Sequence, residues 1–221
     1  MRKVVLILCA IMFCETIKAE TDSLATTAGK EPEKMQTLFS NTGKLGWWIS
    51  PDFAWSQINN DDAFLFGLSA GVIVKHSFSF GLAGYGVMNS QSLRYSGIND
   101  TADVFLYGGY GGFKMEYRIM PLQMINIAFP LLIGGGGISY STWNPYDWHN
   151  TNNNYDEVHA YAWDTYFVLE PGVVVGINLL KFMRLDIGAS YRYAPGVELP
   201  RTDSNIMSSF NFVSSLKFGS F

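Results

Sequence analysis

The sequence predicts an all-β protein: eight antiparallel strands joined as an up-and-down meander and closed into a transmembrane barrel. Three observations predict it. Beyond residue 44 the chain is a succession of extended runs in which residue character alternates with period two, as in a strand with two unlike faces. The connections between runs alternate between short turns and longer polar loops. In the fourth, sixth and seventh runs, past the first residue of each, the charged residues share one parity.

Composition narrows the classes first. Of 221 residues, 48% are hydrophobic and 15% are charged, against about 25% charged in soluble domains. Disorder needs the opposite balance. Past the first twenty residues no run reaches the ~20 apolar residues a helix needs to span a bilayer, so a membrane would be crossed by strands. A net charge of −4 without basic clusters argues against nucleic-acid binding.

The first nineteen residues read as a secretory signal. Arg2 and Lys3 precede an apolar run from Val4 to Phe13, and cleavage is expected after Ala19, with Ile17 at the −3 position. Both cysteines, Cys9 and Cys14, fall inside this segment. The mature chain therefore has no disulfide framework, no thiolate metal site and no cysteine nucleophile. Residues 20–43 are polar and read as a periplasmic leader, and residues 44–221 as the barrel.

The eight runs cover about 45–57, 63–75, 77–89, 103–118, 122–141, 160–177, 181–194 and 207–221. Each suits a tilted membrane-spanning strand of ~9–11 residues. Short connections follow the second, fourth and sixth runs: Lys75–Ser77, Ile119–Pro121 and Asn178–Leu180. Long polar ones follow the third, fifth and seventh: Asn89–Ala102, Thr142–His159 and Pro195–Ile206. Short turns on one side and long loops on the other mark outer-membrane barrels, and an even strand count places both termini on the short-turn side.

The charges fix which face points where. In the fourth run Phe105, Tyr107, Phe113, Met115 and Tyr117 share one parity, and Lys114, Glu116 and Arg118 the other. The sixth run sets Trp163, Phe167, Val173 and Val175 against Asp164 and Glu170. The seventh sets Leu185, Ile187 and Tyr191 against Arg184, Asp186 and Arg192. The apolar faces are nearly uninterrupted, whereas the charged faces mix with glycine, alanine and valine. That mixture suits the crowded interior of an eight-stranded barrel. Charges there must be paired. The expected lumen network is Lys114, Glu116, Arg118, Asp164, Glu170, Arg184, Asp186, Arg192 and Lys217. Register, and hence pairing, is not readable from sequence.

Glycines such as Gly81, Gly84, Gly108, Gly112 and Gly134–Gly137 fall inside the runs, where a small barrel needs close approach and bends. No Lys–Ser/Thr and no helix follows the four-glycine run, so it is not a phosphate loop. Aromatics near run ends are expected in interfacial girdles: Trp47, Trp48, Phe64, Phe66, Tyr161, Trp163, Tyr191 and Tyr193.

The signal, the eight runs, the alternating connections and the terminal Phe221 together resemble small outer-membrane β-barrels of the OmpA/OmpX type. The segment Gly67–Asn89, GLSAGVIVKHSFSFGLAGYGVMN, is similar to a hairpin of an uncharacterised Gram-negative family of such barrels. The resemblance covers residues 45–221 and implies folding by the outer-membrane assembly machinery. One departure stands out: Gly219, Lys217 and Ser215 occupy the phase of the terminal aromatic, while Phe218, Leu216, Phe212 and Phe210 hold the opposite phase.

Enzymatic chemistry finds little support. His76 precedes Ser77 in a turn, and a nucleophile–base pair needs a third, orienting group. No catalytic residue, metal or cofactor is assigned. The most distinctive loop, Thr142–His159, offers Trp143, Tyr146, Asp147, Trp148, His149, Tyr155, Asp156 and Glu157 as a candidate surface recognition set. Oxygen ligation of Ca²⁺ by Asp147, Asp156 and Glu157, or transition-metal ligation by His149 and His159, lacks a spacing motif. The expected protein is an outer-membrane barrel with a structural or surface-interaction role in the cell envelope. Its partners would be outer-membrane lipid, lipopolysaccharide and an extracellular ligand. The alternative is a small porin-like passive pore, with a lipid-modifying enzyme and a soluble ligand-carrying barrel behind it.

Overall fold

The computed structural model describes residues 45–59, 61–90, 92–96, 98, 103–141 and 160–221. The signal, the leader and the candidate recognition residues of loop 142–159 lie outside the described residues.

Nine strands form one sheet: β1 (Leu45–Ile58), β2 (Asp61–Val74), β3 (Phe78–Val87), β4 (Arg94–Tyr95), β5 (Val104–Ile119), β6 (Ile125–Ser141), β7 (Ala160–Leu180), β8 (Met183–Arg192) and β9 (Ser209–Ser220). Every pairing is antiparallel. The order runs β3-β2-β1-β9-β8-β7-β6-β5, and a further β3–β5 pairing, from Phe78↔Tyr117 to Gly86↔Gly109, closes the ring. Eight strands therefore make the barrel wall, as the alternation predicts. β4 is an addition of two residues that pairs with Val104 and Phe105, where β5 outruns the end of β3. The described residues contain no helix long and apolar enough to cross a membrane, which has no bearing on strands.

Two run boundaries shift by three residues, and the others by two or fewer. The sixth run extends to Leu180 instead of ending at 177. Asn178 holds the chain extended there: its N–H donates to the Met124 carbonyl at 2.9 Å, and its side-chain amide donates to the Gln123 carbonyl at 2.6 Å. The fifth run begins at Ile125, because Met120 adopts φ 53° and residues 121–124 complete the turn.

The faces divide along each strand. On β1 Trp48, Ser50, Asp52, Ala54, Ser56 and Ile58 are buried, while Trp47, Ile49, Phe53 and Trp55 are exposed. On β5 Lys114, Glu116 and Arg118 are buried, while Phe113, Tyr117 and Ile119 are exposed. Leu82 on β3 is 68% exposed and Phe210 on β9 is 75% exposed. Trp48 corrects the girdle expectation: its parity turns it inward, 3% exposed, whereas Trp47 faces out.

The interior is organised by rows across strands. Asp52 is in register with Gly67, Gly67 with Tyr85, Tyr85 with Tyr110, Tyr110 with Gly136 and Gly136 with Tyr166. Each ring has a glycine on one side, because the rings of Tyr85 and Tyr166 lie across the neighbouring strand. A Cβ on Gly67 would meet Tyr85 Cδ1 at 2.4 Å, and one on Gly136 would meet Tyr166 Cζ at 2.5 Å. Tyr85 and Tyr110 stack with centroids 5.0 Å apart.

The connection 193–208, of which Pro195–Ile206 is expected as a polar loop, turns back into the mouth. Ala194, Val197, Leu199, Ile206 and Met207 are buried with Leu93 and Ile98 of the β3–β5 connection. They pack on Leu106, Ile138, Tyr140 and Val168 of the wall. The apolar positions of this segment are interrupted by Pro195, Gly196 and Pro200, which hides their burial from a periodicity reading.

Gly67→Ala forces the Tyr85 ring off its strand and is expected to lower unfolding stability by about 1–3 kcal/mol. Pairing it with Tyr85→Ala should recover part of that loss in a denaturant double-mutant cycle.

Candidate functional site

The charged lumen sits between the short-turn end and the apolar mouth. It begins with Arg184 on β8, whose Nε donates to Asn178 Oδ1 at 2.6 Å and whose guanidinium lies 4.2 Å from the Phe221 ring centroid.

Above it is a four-charge cluster. Arg118 Nη2 lies 2.6 Å from Glu116 Oε1 and 2.6 Å from Asp186 Oδ2. Lys217 Nζ contacts the same two acids at 2.6 and 2.9 Å. All four side chains are buried. Arg118 also donates to Asn126 Oδ1. Gly176 makes the cluster sterically feasible: a Cβ there would lie 2.2 Å from Arg118 Nη1 and 2.6 Å from Asp186 Oδ1. The Trp48 ring roofs the group, 5.0 Å from Lys217 Nζ and 5.6 Å from Lys114 Nζ, within the ~6 Å range of cation–π attraction.

The next layer centres on Asp52, a residue the sequence reading missed. Its carboxylate accepts from Lys114 Nζ at 3.2 Å, from Tyr85 Oη at 3.1 Å, and from the Ser50 and Ser69 hydroxyls. Asp52 shares the inward parity of Ser50 and Ser56, but β1 has one charge among small polar residues, and a lone charge gives no phase signal. Adding Asp52 to the nine expected residues gives five acids and five bases, all on inward positions.

Four of the nine have no oppositely charged group within 4 Å among the described residues. Glu170 accepts instead from the Ser190 hydroxyl and from Asn211 Nδ2, the latter at 2.9 Å. Arg192 donates to the Met207 carbonyl at 2.6 Å and to Ser56 Oγ at 3.0 Å, and lies over the Tyr110 ring. Arg184 is held by Asn178. Asp164 accepts from the Glu198 N–H at 2.6 Å and ties the 193–208 segment to β7. Neutral donors and carbonyls thus stand where ion partners were expected, and Glu170 Oε2 and Arg192 Nη1 are buried without a protein partner.

A cavity of about 40 Å³ lies between these layers, lined by charged side chains such as Lys114, Glu116, Glu170 and Lys217 and by the apolar Pro130, Leu132, Val174 and Val213. It has room for ordered water, and Glu170 Oε2 has no protein partner. At the mouth, outside the barrel wall, Tyr95 of β4 packs edge-on against Tyr140. Burial, with the Asp61 carboxylate adding to it, holds the Tyr95 phenol well above the ordinary tyrosine range.

His76 occupies a left-handed position in the β2–β3 turn, φ 59°, a conformation that closes a tight turn. No group of three or more metal-binding side chains occurs among the described residues.

No family model and no curated protein matches the sequence. Among solved structures the chain is similar to the crystal structure of Neisserial surface protein A (NspA), with a TM-score of 0.52 and 12% identity, over 79% of this chain and 96% of that one. The fold is that of the small eight-stranded outer-membrane barrels. The N-terminal β-barrel domain of Pseudomonas aeruginosa OprF aligns over 80% of this chain and 98% of its own, with a TM-score of 0.45 and 11% identity. At such identities the likeness is one of fold. The lumen of this outer-membrane-type barrel is described by its own residues alone.

Lys217→Met leaves Glu116 and Asp186 to share Arg118 and should cost about 3–5 kcal/mol of unfolding free energy. Glu170→Gln, which removes a charge without an ionic partner, should stay within about 1 kcal/mol of the parent in the same denaturant titration.

Proposed function

We propose that this chain is an integral protein of the outer membrane whose barrel is closed to conduction, acting in the envelope through its structure and its long-loop surface. The separation of faces carries the reading. Among the described strand residues, all charges apart from Asp61 and Asp62 at the β1–β2 turn and Arg94 of β4 point into the barrel. The outward positions between the strand ends carry large apolar side chains, among them Leu82, Ile127, Phe129, Phe167, Val173 and Phe212. In water this arrangement would expose a continuous apolar belt far larger than monomeric soluble proteins tolerate. In a bilayer it matches the solvent on both sides of the wall. Trp55 fits an interfacial position: its indole N–H reaches Asp62 at 3.2 Å beside the turn.

Closure is supported by the mouth. Conduction needs a continuous water path, and the apolar side chains of 193–208 fill the lumen above Arg192. Below, the charges hold one another. Residues 1–19 would direct export and be removed after Ala19. The assembly machinery would insert the barrel, and lipopolysaccharide would surround it. The loop 142–159 remains the proposed contact with an extracellular ligand.

Heat modifiability and conductance test this together. The folded protein should run at a different mobility unboiled than boiled on a detergent gel, and should give no stepwise conductance in a planar bilayer. Recovery from the soluble periplasmic fraction with no mobility shift would overturn the membrane assignment. Regular channel steps would overturn closure and favour the passive pore.

A further inference from the structure

Two grooves follow one another on the outer wall along the β1–β9 seam. The first, of about 550 Å³, is walled by Phe53, Trp55, Phe64, Met88 and Phe212, with Ser214 among its lining residues. Its cause is local. Outward positions on β9 read Phe210, Phe212, Ser214, Leu216 and Phe218, so one small residue interrupts a row of large ones. Ser214 is in register with Phe53 on one side and Ile187 on the other, which leaves a dent between bulky neighbours. A volume of this size falls within the ~300–1,000 Å³ of ligand pockets.

The second groove, of about 360 Å³, begins two residues further toward the long loops: Gln57 follows Trp55 on β1, and Phe210 follows Phe212 on β9. Its chemistry differs. Gln57, Asn59, Asp203, Asn205, Ser208 and Ser209 supply amides, hydroxyls and one carboxylate. The rings of Tyr191 and Phe210, 4.8 Å apart between centroids, form its base. The Asn205 N–H donates to Asp203 Oδ1 at 2.7 Å within the loop, and the Gln57 N–H donates to Ser209 Oγ at 3.3 Å across the β1–β9 edge.

We infer that the seam binds one amphiphile of the outer leaflet, a glycolipid, with its acyl chain in the Phe53–Ser214 groove and its sugar in the Gln57–Asn205 groove. The order of the grooves sets the orientation, apolar toward the belt and polar toward the loops. The polar lining selects the head. A phosphate needs cationic donors, and neither lysine nor arginine lines the groove. Amides and a carboxylate offer both donors and acceptors to hydroxyl groups, and the tilted Tyr191 and Phe210 rings offer a sugar ring an apolar face. The inference rests on the membrane assignment above, which fixes what solvent the apolar groove faces.

Native mass spectrometry of the full folded chain tests it with two probes of equal tail: dodecyl maltoside and dodecylphosphocholine, each added to protein held in a polyoxyethylene ether detergent. One dodecyl maltoside should stay bound at collision energies that strip dodecylphosphocholine. Ser214→Phe, which fills the dent while keeping the wall apolar, should lower the retained fraction at least tenfold. The rim pair Gln57→Ala with Asn205→Ala should do the same without touching the belt, and Ala70→Phe, an outward change on β2 outside both grooves, should leave retention unchanged. With the heat shift intact, equal retention of the two probes, preference for dodecylphosphocholine, or indifference to both groove variants would overturn the site and leave the membrane assignment standing. Absence of the heat shift in the parent protein would overturn that assignment and this inference with it.

Discussion

Arg118 lies between the Glu116 and Asp186 carboxylates, and Lys217 bridges the same two acids from β9. The constraint behind this geometry is that a charge on a barrel strand has only one tolerable direction when hydrocarbon surrounds the wall. Once inside, it has almost no water to share, and an uncompensated charge costs several kcal/mol. The cluster draws on β5, β8 and β9 for its charges, on β6 for Asn126 and on β7 for the missing side chain of Gly176. Most of the wall is therefore coupled through one electrostatic unit. Asp52 with Lys114 repeats the arrangement nearer β1 and β2.

Packing follows from the same crowding. A lumen this narrow admits a tyrosine only if the adjacent strand gives way, which explains why Gly67 and Gly136 stand in register with Tyr85 and Tyr166. The rings then deliver their hydroxyls to polar targets: Tyr85 to Asp52 and Tyr166 to the Gly109 carbonyl. Toward the mouth the lumen changes solvent. Arg192 is buried at this boundary, and its bond to the Met207 carbonyl joins the polar column to the apolar cap formed by 193–208. A wall that is apolar outside, charged within and capped at the loop end is what supports the proposed surface role.

Much of this was legible before the structure. Strand number, order and inward parity of β5, β7 and β8 follow from period-two alternation, because each of those strands carries at least two charges in phase. β1 was harder. Its single charge, Asp52, sets no phase, and adjacent Trp47 and Trp48 look alike in a composition reading although one faces out and one in. Ion partners were illegible because pairing depends on register, and register depends on hydrogen bonds between residues far apart in sequence. The cap escaped for a different reason: the spacing of Val197 and Leu199 is too short to set a strand period, Pro195, Gly196 and Pro200 flank the pair, and five polar residues separate it from Ile206 and Met207.

The central claim is that the exposed face of each strand meets hydrocarbon. A nitroxide scan along β5, one cysteine at a time from Leu106 to Arg118 in reconstituted bilayers, measures it directly through collision with oxygen and with a water-soluble nickel chelate. Collision with oxygen should rise at Tyr107, Phe113, Met115 and Tyr117 and fall at Lys114, Glu116 and Arg118, with period two and with little nickel collision at either set. Maximal nickel collision at Phe113, Met115 and Tyr117 would mean that this face meets water, and the assignment of inside and outside would be wrong.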